Sequence, residues 1–158
     1  MGSGYGYSTA WFARGVDENG GGIVHHTVWD QGLSDMAKKH LAALGYPEAG
    51  AGAKTEIHYT MAEAVETLRG TDGPFDIIFN DIDKEGYPNT IDVVHSKLKK
   101  GGLFITDNVV WSGRVVEIGS DEKTTIAIQE FNMRLSESPD WECTIVPIRD
   151  GLMVAVKK

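Results

Sequence analysis

A single cysteine among 158 residues, Cys143, excludes an internal disulfide. It lies in the apolar run Cys143, Ile145, Val146, where a buried thiol acting as a small hydrophobe is expected. No Cys/His pattern has the spacing of a zinc site. Basic residues are scarce: 15 Lys and Arg against 23 Asp and Glu give a formal charge of -8, which repels nucleic acid over most of the surface. The one basic cluster, Lys97, Lys99 and Lys100, precedes Gly101-Gly102 and reads as helix-end cations. No apolar run is long enough to span a bilayer and no signal peptide, repeat or low-complexity tract is present, so the expectation is a soluble cytoplasmic protein of one domain, residues 1–158.

What is present is an alternation of short apolar runs with longer segments of helical period, the pattern of an α/β domain with a mostly parallel sheet covered on both faces. Strands are expected at Ile23 to Val28, Thr55 to Tyr59, Phe75 to Asp81, Leu103 to Asp107, Thr144 to Pro147 and Leu152 to Val156. Leu33, Met36, Ala37, His40, Leu41 and Leu44 form one helical stripe, with His40 a partly buried, satisfied histidine. Thr60 and Glu63 form a capping-box pattern for a second helix; Tyr87, Ile91, Val94 and Leu98 mark a third, and Ile128, Phe131 and Leu135 a fourth. The short link from Ile148 to Gly151 makes the last two strands an antiparallel hairpin. That reversed strand sets the arrangement apart from dinucleotide-binding folds, which are usually parallel throughout.

The chain opens on Gly2, Gly4 and Gly6, ahead of a helix that Ser8 or Thr9 can cap. Such a turn lets backbone approach a ligand, and the helix start favours an anionic group. A nucleotide pyrophosphate and a methionine carboxylate suit it equally, and Met1-Gly2-Ser3 is also what an expression vector leaves at a chain start. A ribose-binding acid belongs at the end of the next strand, where this chain has Val28. Asp30, two residues on, points to the same side of an extended backbone; a plain helix-start aspartate explains it as well.

The chemistry concentrates at two strand ends, Asn80-Asp81-Ile82-Asp83-Lys84 and Thr106-Asp107-Asn108. Carboxyl ends of neighbouring parallel strands open on the same side, so Asp81, Asp107 and Asn108 can converge on one hard cation such as Mg²⁺. The competing explanation is that both aspartates merely cap the segments that follow.

Two stretches here, Phe75 to Pro88 containing DIDK and Gly101 to Gly113 containing DNVVWSG, resemble the caffeoyl-CoA and catechol O-methyltransferase family. Glu130-Phe131-Asn132, Arg134-Leu135 and Pro147 to Leu152 extend the resemblance over nearly the whole chain. It implies a Rossmann-like, S-adenosylmethionine-dependent O-methyltransferase assisted by a divalent cation, with a catechol-like small molecule as acceptor and a homodimer as assembly. Asp81, Asp107 and Asn108 become metal ligands and Lys84 the general base. Asp81 and Asp83 lie near the cofactor; Lys84, Asn108 and Ser112 face the acceptor. Trp111 is either an aromatic wall of the acceptor pocket or a packed loop residue. Gly2, Ser3, Gly4, Gly6 and Ser8 match the cofactor loop, and Met61 to Ala64, with Ala62, fall where the family holds adenine, without its usual Gly-Asp pair.

The family's helices and first strand ahead of the glycine turn are not in this sequence. An incomplete or non-catalytic fragment with weak cofactor binding is therefore the alternative expectation. A nicotinamide dehydrogenase rests on the glycine turn alone and leaves Asp81 and Asp107 unexplained.

Overall fold

A computed structural model describes all of residues 1–158, which divide into two compact units, Met1–Thr67 and Leu68–Lys158. The first runs α1 (Tyr7–Glu18), β1 (Gly22–Val28), α2 (Gln31–Ala43) and β2 (Thr55–Met61), with α3 (Ala64–Gly70) crossing the division. Strands β1 and β2 pair in parallel, Gly22 opposite Thr55 through Val28 opposite Met61. Val24 of β1 and Ile57 of β2 turn to the same side and pack with Ala13 of α1 and Leu41 of α2 as the buried core of this unit. That placement is the two-residue alternation of a strand meeting the helical stripe read from the sequence.

Gly6, not Ser8 or Thr9, occupies the N-cap position of α1, in the left-handed region at φ 89° and with no side-chain cap. Its missing side chain is also needed for packing, since a Cβ there would sit 3.2 Å from that of Ala37 on α2. Thr9 is turned inward instead, its hydroxyl 2.9 Å from Nδ1 of the buried His26. At α3 the expected Thr60–Glu63 box is replaced by Glu63 alone. Thr60 belongs to β2, and the Glu63 carboxylate takes the amides of Val65 (3.0 Å) and Glu66 (2.7 Å). His40 is exposed rather than partly buried, with Nδ1 3.3 Å from the Tyr5 carbonyl.

Burial pushes the His26 imidazole down to about 4. Its charged form is disfavoured in the folded state, so between pH 6.5 and 4 the unfolded chain binds the extra proton. Stability is therefore full above 6.5 and falls as the pH drops through that window, by on the order of 3 kcal/mol. Urea unfolding of the full chain at pH 7.5 and pH 4.5 checks this. His26→Leu should remove that part of the slope; an unchanged slope would mean that His26 is not its source.

The second unit contains β3 (Phe75–Asn80), α4 (Tyr87–Lys97), β4 (Leu98–Thr106), α5 (Lys123–Glu137), β5 (Trp141–Val146) and β6 (Leu152–Lys157). Its sheet has the order β3-β4-β6-β5. β3 and β4 are parallel, whereas β6 runs antiparallel to both β4 and β5. The expected α/β fold, with parallel strands closed by an antiparallel hairpin, is what the chain adopts. β1 pairs only with β2, and β3 only with β4.

Phe131 of α5 is fully buried, its ring 5.3 Å from Tyr87 of α4 and 5.8 Å from Phe104 of β4; Phe104 also meets Trp141 of β5 at 5.9 Å. This aromatic stack fixes α4 and α5 against the sheet. Of the expected helix-end lysines only Lys97 ends α4; Lys99 and Lys100 lie in β4, where Lys99 pairs with Asp76 of β3. The early start of β4 follows from Leu98, which is buried opposite Phe75. Cys143 on β5 is half-buried rather than buried, with its pKa raised by partial burial.

Candidate active site

In the first unit the glycine turn has the backbone that close approach to a ligand requires. Gly2, Gly4 and Gly6 all have positive φ. The Ser3 amide donates to the Thr27 carbonyl of β1 at 3.0 Å, and the Ser3 carbonyl accepts from Gly6 at 3.0 Å. A Cβ on Gly4 would meet nothing within 4 Å, so space beside the turn is open. With no side chain capping α1, amides of its first turn, where Ser8 lies, are left to an outside acceptor, which suits a cofactor carboxylate.

The other nominated cofactor residues are less committed. Asp30 is the N-cap of α2, its Oδ1 accepting the Leu33 amide at 2.8 Å, which leaves Oδ2 for another donor. Val28, at the end of β1, is buried. Ala62 is exposed just past β2, its amide on the Val28 carbonyl at 3.1 Å.

In the second unit the parallel register sets Asn80 opposite Thr106, and the Asp107 amide donates to the Asn80 carbonyl at 3.1 Å. Asp81 and Asp107 thus leave neighbouring strand ends side by side. Neither caps a helix. Gly86 stands at the N-cap of α4 and Val110 at that of the 3-10 turn Trp111–Val116, both without a side-chain cap. The Asp81 carboxylate instead meets Nζ of Lys84 at 2.8 Å. Lys84 opens a 3-10 turn, Lys84–Gly86, and its side chain is only 14 % exposed, with the ammonium 5.3 Å from the Tyr87 ring centre. Asp83, at the N-cap of that turn, is exposed and makes no side-chain cap.

The Tyr87 hydroxyl donates to the Asp107 carbonyl at 2.8 Å. Its pKa is driven far up, first by burial and then by the negative charges of Asp81, Asp107 and Asp150. Three carboxylates therefore act on one phenol, and Lys84 is the cation paired with one of them. No group of three or more His, Cys, Asp or Glu side chains is arranged to hold a metal ion; Asp81, Asp107 and Asn108 are the oxygen-bearing residues at these strand ends that could hold a hard divalent cation.

The loop from Asn108 to Ser112 is contorted. Asn108 (φ 58°), Trp111 (φ 50°) and Ser112 (φ 54°) are all left-handed. It is fastened from several sides: Asp107 Oδ1 accepts the Asn108 amide at 2.7 Å, Asn132 of α5 donates to the Val109 carbonyl at 2.8 Å, and Val109 and Val110 bond to Gly151 and Asp150. Trp111 is half-buried, with the Arg114 guanidinium 4.6 Å from its ring centre; Ser112 is exposed. Tyr87, Asn132 and Asp150 were not among the site residues expected from sequence. Tyr87 carries the signal of a core helix position, and Asp150-Gly151 is ordinary turn composition.

The O-methyltransferase family model matches residues 1–158. The chain belongs to the O-methyltransferase family. A catechol O-methyltransferase from Niastella koreensis is 28% identical over 97% of this chain and 69% of its own length. A Dictyostelium discoideum protein named "Probable caffeoyl-CoA O-methyltransferase 1" is 30% identical over 69% of this chain, an alignment covering half of that relative. Among solved structures, an O-methyltransferase from Bacillus cereus in complex with SAH superposes with a TM-score of 0.80 at 25% identity, over 99% of this chain and 71% of that one. In this O-methyltransferase chain the DIDK and DNVVWSG strings stand at the ends of β3 and β4 in the second unit. No helix is long and apolar enough to cross a membrane.

Proposed function

We propose that the chain carries the catalytic machinery of an S-adenosylmethionine-dependent O-methyltransferase acting on a catechol-like vicinal diol with a divalent cation, for which Mg²⁺ is the best match. The observation that carries this reading is the pair of strand-end carboxylates, Asp81 and Asp107, which leave neighbouring parallel strands side by side and cap no helix. Gly2, Ser3, Gly4, Gly6 and Ser8 would hold the methionine end of the cofactor, Asp30 its ribose through the free Oδ2, and Ala62 its adenine. On the second unit, Asp81 and Asp83 are the residues that the family resemblance assigns to the cofactor. S-adenosylmethionine supplies an electrophilic methyl on sulfonium. A divalent cation held by Asp81, Asp107 and Asn108 supplies Lewis acidity toward the acceptor's paired oxygens.

Lys84 does the proton chemistry. As a neutral amine, its own proton lost to solvent, it would accept the proton of the attacking hydroxyl, giving up its 2.8 Å bond to Asp81 where that carboxylate would instead hold a cation. Asn108, Trp111 and Ser112 orient the acceptor ring, so that displacement at the methyl needs alignment above all, an effect worth up to about 7–11 kcal/mol.

Titration calorimetry of the full chain with S-adenosylmethionine, with and without Mg²⁺, tests the reading together with methyl transfer to catechol. Micromolar cofactor binding and turnover abolished by EDTA are expected. Folded protein that binds no cofactor would instead support the incomplete, non-catalytic fragment.

A further inference from the structure

Asp150, in the turn between β5 and β6, is half-buried, and both of its carboxylate oxygens are engaged. Oδ1 accepts the backbone amide of Ser112, and Oδ2 accepts Nδ2 of Asn108 at 3.4 Å. Its own carbonyl takes the Val110 amide at 2.9 Å. One residue thus grips the loop at three points, two of them on residues with left-handed backbone. The contact with Asn108 also fixes which way its carboxamide faces. A carboxylate accepts only, so the amide nitrogen must face Asp150 and the oxygen must face elsewhere. Oδ1 is the only atom of Asn108's side chain that can bind a cation.

We propose that Asp150 is the positioning residue of the cation site, setting the Asn108 carboxamide and the backbone of Asn108–Ser112. It stands behind a ligand rather than among the ligands, its Oδ2 facing Asn108 and its Oδ1 the Ser112 amide. This rests on the reading of Asp81, Asp107 and Asn108 as the cation's ligands. Residues that orient ligands from behind commonly change metal affinity by about 10- to 100-fold when lost.

The test is Mn²⁺ binding to the full chain, followed by the electron paramagnetic resonance of free Mn²⁺, with neither cofactor nor acceptor present. Asp150→Asn keeps the shape but sets an amide nitrogen against Nδ2 of Asn108, or turns its oxygen there and loses Ser112. It is expected to weaken Mn²⁺ binding about 10- to 100-fold. Asn108→Asp combined with Asp150→Asn exchanges acceptor and donor across the same contact, and should recover most of the affinity. Wild-type affinity in a folded Asp150→Asn variant overturns the proposal while leaving the cation site standing. Wild-type protein that binds no Mn²⁺ removes the cation site, and this role with it. Should Asp150→Asn lose its cooperative melting transition, the double variant decides. Folded and binding near the wild-type level, it upholds the role; folded without binding, it overturns it.

Discussion

Lys84→Met is expected to lower turnover by about 10²- to 10⁴-fold, the range over which a positioned general base contributes, while leaving S-adenosylmethionine affinity unchanged. The thioether chain matches the lysine stem that lies by Tyr87 but has no lone pair for a proton at the amine position. Lys84 has a second visible role, its 2.8 Å ion pair with Asp81. Lys84→Arg separates the two. Arginine keeps a cation on Asp81 yet stays protonated, so it cannot act as a base and should be nearly as inactive as methionine. Rates with catechol, measured beside calorimetric cofactor affinities, check both variants. Full turnover in the arginine variant would assign Lys84 to charge balance and end its role as base.

The second large effect concerns stability. Gly151 has φ +80°, and a Cβ placed on it would lie 2.4 Å from Cγ2 of Val110. Gly151→Ala therefore adds a left-handed backbone cost of roughly 1–2 kcal/mol to a collision whose relief costs about 1–3 kcal/mol. The position is also bonded, its carbonyl accepting the Val109 amide at 3.2 Å. A loss of about 2–5 kcal/mol is expected in denaturant unfolding. Val110→Ala combined with Gly151→Ala should return the collision part and leave the backbone part. If the double variant is no more stable than the single, the clash with Val110 is not the cause.

Much of this was legible in the sequence, for identifiable reasons. The hairpin showed itself because Ile148 to Gly151 is too short for a crossover, and β5 and β6 do run antiparallel. The acidic strand ends stood out because charge at the close of an apolar run is unusual, and register then brings them together. Caps were less legible. Glu63 does alone what Thr60 was expected to share, because β2 runs on to Met61 and keeps Thr60 extended. Gly6 takes the cap because α1 already begins at Tyr7, which puts Ser8 and Thr9 inside the helix and needs φ 89° at the cap, where a Cβ would also crowd Ala37 at 3.2 Å. Asp150 was hidden for a different reason. Its partners Asn108 and Ser112 lie about forty residues away in sequence, and only the pairing of β4 with β6 brings them within reach.

The contorted loop has a last consequence, for the acceptor. Left-handed backbone at Asn108, Trp111 and Ser112 costs roughly 1–2 kcal/mol per residue, and that cost is met when the chain folds. Trp111 is braced as well: the Arg114 guanidinium beside its ring is held by both carboxylate oxygens of Glu122 at 3.1 Å. A flat ring docking on this surface would meet a wall already in its working shape, with little ordering entropy left to lose on binding. Discrimination between acceptors would then follow from the contour of a rigid face, with rejection of a poorly shaped ring at first contact.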